Sequence, residues 1–280
     1  MARQRGATDE VLAPSDNPKN LVQSLAKGFR VLEAFGASDP ELTLAEAARR
    51  AAMDNATAFR LLNTLVMLGY VDRVPGTRRF RLSLKCLDLG FNAIARMELR
   101  ERVRPVLRSL VGEVNEAASV GVLDGADTVY VERVQAGMVR LGVDVRVGSR
   151  IPAYCSALGL AILAFLPRAE QARVLDLAPR VRLTPRTVTD RREIQARLAG
   201  VRRAGYVVVD QEITAGLRAL AAPILDLDGY PIAAVSVVAP VIRMPAEEFV
   251  KRTAAPVLAA ARAIGKAIQA GGAIAAPAAA

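Results

Sequence analysis

Histidine and tryptophan are absent from this 280-residue chain, and aromatic residues make up only 4% of it. Losing histidine removes Ser-His-Asp and Cys-His nucleophile systems, His-Glu-x-x-His zinc sites and histidine-containing zinc fingers in one step. Cysteine is scarce: Cys86 and Cys155 stand far apart, with no metal-ligand cluster around them. That usage fits a reducing cytoplasm rather than a disulfide scaffold. No apolar run approaches ~18 residues, and the first residues hold no apolar signal core, so neither a membrane span nor a secretory leader is expected. Core material is plentiful, with 52% hydrophobic against 24% charged residues, enough for one large domain or two ordinary ones.

The net charge of +10 favours polyanionic partners. Its useful part is local: residues 60–85 hold Arg60, Arg73, Arg78, Arg79, Arg81 and Lys85 against the single acid Asp72. This stretch begins inside a segment that reads as a short amphipathic helix, Asp54 to Leu68. Ala58, Leu61, Leu62 and Leu65 recur at i, i+3, i+4 and i+7, forming a buried stripe. Asp54 is placed to cap its start, and Gly69 to end it in the left-handed conformation. The opposite face carries Ala56, Arg60, Asn63, Thr64 and Met67, flanked by Thr57 and Phe59. Amides, hydroxyls and a fixed cation beside small residues suit contact with base edges.

The flanking segments complete a winged helix-turn-helix. Val22 to Phe35 reads as a helix with Leu25, Phe29, Leu32 and Phe35 facing inward. Thr43-Leu-Ala-Glu46 is a capping box opening a second helix, Leu44 to Ala51. A turn at Ala52-Met53 leads into the recognition helix. Tyr70 to Val74 and Arg79 to Leu82 then form a hairpin around Pro75-Gly-Thr77. The DNA surface is expected to use Thr43, Asn55, Ala56, Thr57, Phe59, Arg60 and Asn63, with Arg78, Arg79 and Arg81 on the wing reaching phosphates or the minor groove.

The residues Ser24-Leu-Ala-Lys-Gly-Phe-Arg-Val-Leu-Glu-Ala-Phe35, Leu42-Thr-Leu-Ala-Glu-Ala-Ala48, Thr57-Ala-Phe-Arg-Leu-Leu-Asn-Thr-Leu65, Leu68-Gly-Tyr-Val71, Phe80-Arg-Leu82 and Leu87-Asp-Leu-Gly90 resemble the IclR family of bacterial transcriptional regulators. The resemblance covers about residues 20–265. It implies a linker helix that takes part in subunit pairing, followed by a GAF-like effector-binding domain.

Residues 1–20 and 271–280 read as a disordered arm and a disordered tail. The domains expected between them are the winged helix-turn-helix over 21–85, the linker helix over 86–98 and the effector domain over 99–270. Helix is expected from Cys86 to about Ala118, broken or bent near Pro105. Strands follow at Ala118 to Leu123, Thr128 to Val134 and Val139 to Val145. Helices are expected over about 155–177 and 190–204, then strands at Tyr206 to Val209, Arg218 to Leu225 and Tyr230 to Val238. A last helix runs from Ala246 to Gln269. Strands, crossing helices and strands again give an α/β domain with a mainly antiparallel sheet, so the fold class is α/β overall. The arginine-rich stretch 180–203 reads mostly as a solvated helix face.

Two segments carry the chemistry of this domain. Arg150-Ile-Pro-Ala-Tyr-Cys-Ser-Ala-Leu-Gly159 runs into a helix start that can hold an anion. The second is Val209 to Ile224. Both are similar to the branch of the family that regulates aromatic-acid catabolism through the β-ketoadipate pathway. The resemblance implies effector contacts by Arg140, Val143, Ile151, Ala157, Leu158, Val209, Ala219 and Ser236, with Tyr154, Cys155, Ser156, Asp210 and Arg218 in the same segments. Ala219 stands where relatives often carry serine or cysteine, and Arg140 where an apolar residue is common. Cys155 as a nucleophile, or Asp210 with Glu212 as an acid–base pair, is the weaker reading beside pocket lining and strand-end hydrogen bonding.

The expectation is therefore a cytoplasmic, ligand-responsive transcription factor without a cofactor or metal. It would bind a double-stranded DNA operator and a small, aromatic organic acid as a homodimer or homotetramer, and would not be an enzyme. The alternative is an enzyme or general small-molecule-binding protein built on the C-terminal domain.

Overall fold

A computed structural model of the chain describes residues 21–36, 38–95, 99–136 and 145–269, with side chains described outside 91–100. They divide into two compact units, one ending at Asn92 and the other beginning at Ala93. The expected arm and tail, most of the strand expected at 139–145, and both Arg140 and Val143 lie outside the described residues.

The first unit contains α1 (Gln23–Glu33), β1 (Glu41–Thr43), α2 (Leu44–Arg50), α3 (Asn55–Met67), β2 (Val71–Arg73), β3 (Arg79–Leu82) and the start of α4 (Lys85–Ala95). Its core gathers Val31, Phe35, Leu42, Ala47, Leu62, Leu65, Val71 and Phe80. The capping box forms as expected: Thr43 Oγ1 accepts from the Glu46 N–H at 3.3 Å, and Glu46 accepts from the Thr43 N–H at 2.8 Å. Ala52 makes the turn between α2 and α3 at φ 51°, and Gly69 follows α3 at φ 79°.

Two expectations are corrected here. The wing is part of a three-stranded sheet, because β1 pairs with β3 to give the order β1-β3-β2. Three residues are too few for alternation to reveal a strand in sequence. The inward face of α1 is also shifted: Val31 and Phe35 are buried, whereas Leu25 and Phe29 are 60% and 51% exposed. The helix is amphipathic, but this unit offers Leu21, Leu25 and Phe29 nothing to pack against.

The second unit contains α5 (Leu99–Val114), β4 (Ala117–Asp124), β5 (Asp127–Val134), β6 (Arg150–Pro152), α6 (Ala157–Leu163), α7 (Arg168–Asp176), α8 (Arg191–Ala204), β7 (Val207–Asp210), β8 (Leu217–Leu225), β9 (Pro231–Pro240) and α9 (Ala246–Gln269). The strands form an antiparallel sheet in the order β6-β5-β4-β9-β8-β7. Alternation along β8 sorts its side chains by face. Leu220, Ala222 and Ile224 join the α5 and α9 residues Leu107, Phe249, Val257 and Ile264, while Ala221 joins Leu158, Leu160 and Ile162 of α6 and Leu198 of α8. The result is a sheet covered on both faces.

Pro105 does not break α5, which runs as one helix through it. Proline removes one backbone hydrogen bond there, but Val103, Leu107, Leu110 and Val114 lie on one buried stripe, and tertiary packing outweighs local propensity. The helix expected over 155–177 is two helices, because Pro167 disfavours helical geometry in the residue before it and serves as the N-cap of α7.

Candidate functional site

In the first unit, α3 presents Asn55, Ala56, Phe59, Arg60, Thr64 and Met67 as exposed residues. Asp54 Oδ1 accepts from the Thr57 N–H at 2.8 Å, and the Thr57 hydroxyl donates to Asp54 Oδ2 at 2.7 Å. These bonds hold the Asp54 carboxyl below its usual range, the backbone one first. Thr43 and Thr57 thus spend their hydroxyls on helix starts, leaving their methyl groups for any contact outside. Arg73 on β2 donates to Asn63 Oδ1 at 2.5 Å and lies over the Phe80 ring at 5.2 Å. With its oxygen occupied, Asn63 offers its NH₂ as a donor. Arg73 is a positioning residue that the sequence reading did not single out.

The wing arginines differ in freedom. Arg79 donates to the Glu41 carbonyl at 3.0 Å and pairs with Glu46 at 3.5 Å, and Arg81 lies 3.8 Å from Asp72. Arg60 and Arg78 are exposed, and their guanidinium groups have no hydrogen-bond or ion-pair partner among the described residues.

In the second unit a pocket opens beside α6. Of the residues expected there, Ile151, Ser156, Ala157, Leu158, Val209, Arg218, Ala219 and Ser236 line it. Tyr154, Cys155 and Asp210 do not. Tyr154 donates its hydroxyl to the Val181 carbonyl, and Cys155 is buried with its thiol pushed up to about 12, chiefly by burial. A thiol held protonated is a packing residue, not a nucleophile. Asp210 faces two arginines, accepting from Arg218 Nε at 2.9 Å and Arg186 at 2.7 Å. Arg218 further donates to the Met244 carbonyl at 3.2 Å. Glu212 lines the pocket and pairs with Arg197 at 2.9 Å. Asp210 and Glu212 are therefore each neutralised by arginine, which leaves no acid–base dyad.

Most arginines of residues 180–203 are exposed, as expected (Arg182, Arg186, Arg192, Arg202 and Arg203), although several in this stretch are tied to partners. Arg197 is largely buried against Glu212, Arg186 and Arg191 form ion pairs, and Arg180 donates to the carbonyls of Thr189 and Leu175. Ser156 caps α6, its Oγ accepting from the Gly159 N–H at 3.1 Å. The anion site expected at this helix start is thus partly occupied by the chain's own hydroxyl.

Among pocket residues not foreseen, Tyr130 and Arg133 stand out. A β-bulge opposite Val120 shifts the register, so that Gly121 pairs with Tyr130 while Ser119 pairs with Arg133. Strict alternation would put residues 130 and 133 on opposite faces; the bulge brings both to the pocket. Burial pushes the Tyr130 phenol up to about 12, with Arg133 opposing, so it stays a neutral hydroxyl. Burial lowers the affinity of the Arg133 guanidinium for its proton, with Tyr130 opposing. An arginine remains cationic at neutral pH all the same.

Residues 24–75 match the IclR helix-turn-helix domain, and residues 91–266 match the C-terminal domain of bacterial transcriptional regulator IclR. The chain is 34% identical over 243 residues to the Pca regulon regulatory protein of Pseudomonas putida, covering 87% of this chain and 83% of that protein. A solved transcriptional regulator from Rhodococcus sp. RHA1 superposes with a TM-score of 0.79 at 38% identity, over 89% of this chain and 99% of its own. An IclR homologue from Microbacterium hydrocarbonoxydans, solved as a complex with 4-hydroxybenzoate, gives a TM-score of 0.76 at 30% identity, over 88% and 99%. Among the described residues no helix is long and apolar enough to cross a membrane.

Proposed function

The chain belongs to the IclR family of bacterial transcriptional regulators, and from that membership we propose that it controls a catabolic operon in response to a small aromatic carboxylic acid. Its relatives are regulators rather than enzymes. The observation that carries the effector reading is the pocket beside α6. Ile151, Leu158, Val209, Ala219 and Val238 offer an apolar wall for a ring, and Arg133, Ser156 and Ser236 supply polar groups. The 4-hydroxybenzoate held by the Microbacterium relative is an acid of this class.

For DNA, the proposal assigns base contacts to the exposed face of α3, with Arg60 and Asn63 foremost, and phosphate contacts to the wing. Arg78 is the freer wing cation, since Arg79 is tied to Glu41 and Glu46. The division into 21–85, 86–98 and 99–270 belongs to the same proposal, as does a homo-oligomer. Helix-turn-helix proteins read paired half-sites as dimers, and the exposed Leu25 and Phe29 of α1, with Leu84 and Leu87 near the start of α4, supply apolar surface for a second copy. The test is a gel shift on duplexes selected by the wild-type protein. Arg60→Ala and Asn63→Ala are each expected to weaken specific binding by ~1–3 kcal/mol and relax base preference. Unchanged affinity and base preference in both variants would remove α3 from the interface.

A further inference from the structure

Among the described residues, two buried side-chain polar atoms have no hydrogen-bond partner, Arg133 Nε and Ser236 Oγ, and both residues line the effector pocket. Their placement is not scattered. Arg133 pairs with Ser119 across β5 and β4, and Ser119 pairs with Ser236 across β4 and β9. Directly paired residues of an antiparallel sheet project to the same face. One row across three strands therefore carries an arginine, a serine and a serine toward the pocket.

Ser119 in the middle accepts from Arg133 Nη1 at 2.9 Å, which fixes the guanidinium and leaves Nε undirected. Ser236 is only 1% exposed. Leaving a donor of this kind buried and unpaired is costly, and native proteins keep few such groups without a use for them. A carboxylate is the group that meets both needs, since it accepts from an arginine and a hydroxyl at once.

We propose that Arg133 and Ser236 form the carboxylate-binding end of the pocket, and that the pocket selects a ligand bearing one carboxylate. This rests on the reading of the pocket as the effector site and places the anchor on the sheet rather than at the start of α6. The selection for a monoanion follows from how the other charges are committed. Arg218 is engaged by Asp210, and Glu212, which also lines the pocket, is engaged by Arg197. Among the described residues of the lining, a second carboxylate would meet the Glu212 carboxylate rather than an uncommitted cation, and its desolvation would be costly there. A hydroxyl in that position would instead be an acceptable donor to Glu212. The apolar row two residues along, Val209, Ala219 and Val238, lies across β7, β8 and β9 and is suited to the ring.

The test is calorimetry on the full-length chain with benzoate, 4-hydroxybenzoate, 3,4-dihydroxybenzoate and hexanoate, each against its primary amide. Terephthalate and adipate serve as dicarboxylates. At least one monocarboxylate is expected to bind about tenfold or more tightly than its amide and than either dicarboxylate. Arg133→Gln is expected to reduce the acid to the affinity of the amide. Ser236→Ala should weaken the acid without lowering the melting temperature of the unliganded protein, because it deletes a hydroxyl that bonds to nothing in the fold; this arm remains informative if Arg133→Gln fails to fold. Undiminished acid binding in Ser236→Ala, or in a folded Arg133→Gln, would overturn the anchor while leaving an acid-responsive regulator standing. A preference for the amides or dicarboxylates would overturn the selection for one carboxylate. Binding of none of the panel would overturn both the anchor and the aromatic-acid reading beneath it.

Discussion

Gly159 is the third residue of α6, where the helix crosses the segment that follows β6. A Cβ built there would lie 2.3 Å from both the Cα and the carbonyl oxygen of Ala153. Backbone atoms cannot rotate away, and every residue of α6 from Ala157 to Leu163 is buried, so the helix has no slack on its other side. Gly159→Ala must therefore displace α6 or the strand end. Overpacking of this kind costs about 1–3 kcal/mol, and the absence of a yielding side chain argues for the upper end. At about 2–4 °C per kcal/mol for a unit of this size, the melting temperature should fall by roughly 5–10 °C. Ser156, Ala157 and Leu158 precede the clash directly, so ligand affinity should fall with stability. Thermal unfolding followed by circular dichroism reads the first effect and calorimetry with 4-hydroxybenzoate the second. An alanine variant melting with the wild type would refute the close crossing of α6 over Ala153.

Other outcomes follow from the same contacts. Asp54→Ala should destabilise the first unit through loss of the α3 cap, read as a lower melting temperature for DNA binding. Because Thr57 holds the Asp54 carboxyl below its ordinary value of 3.8, the cap's contribution is complete above that value. It should drain away as pH falls through the lowered folded value; denaturant midpoints that do not fall faster with acid in the wild type than in Asp54→Ala would contradict this. Arg197→Met leaves Glu212 buried beside the pocket without its cation. The cost of breaking such a pair is about 3–5 kcal/mol, discounted here to about 2–3 because the arginine is a quarter exposed. Adding Glu212→Leu to that variant should recover most of the loss on urea denaturation. Residues 99–270 expressed alone are expected to fold and to bind the same acid as the full chain without retaining DNA, since the pocket is built within the second unit.

Most of the fold was legible where local rules agree with packing. The capping box at Thr43, the Asp54 cap and the alternation along β8 and β9 each have a signature within a few residues, and the helix from Ala246 to Gln269 was read to its ends. What escaped depended on distant partners. The strand at Glu41–Thr43 exists because β3 pairs with it, and the exposure of Leu25 and Phe29 depends on what the unit leaves uncovered. At the pocket, eight expected residues line it, but Arg133 was hidden. The bulge that turns it inward is a property of the β4–β5 pairing, and no turn residue or glycine on β5 announces it. Arg73 was hidden differently, as its role emerges only once β2 lies beside Asn63.

The measurement that bears most directly on the central claim is a nuclease footprint of the full-length chain on duplexes recovered by in vitro selection, repeated across a titration with aromatic monocarboxylates. A ligand-responsive regulator of this kind should protect two related half-sites spaced by whole helical turns of about 10 base pairs. One of the acids should change that protection at concentrations that saturate the pocket. Binding that ignores sequence, or a selective footprint that every acid leaves unchanged while calorimetry shows the pocket filled, would contradict the account.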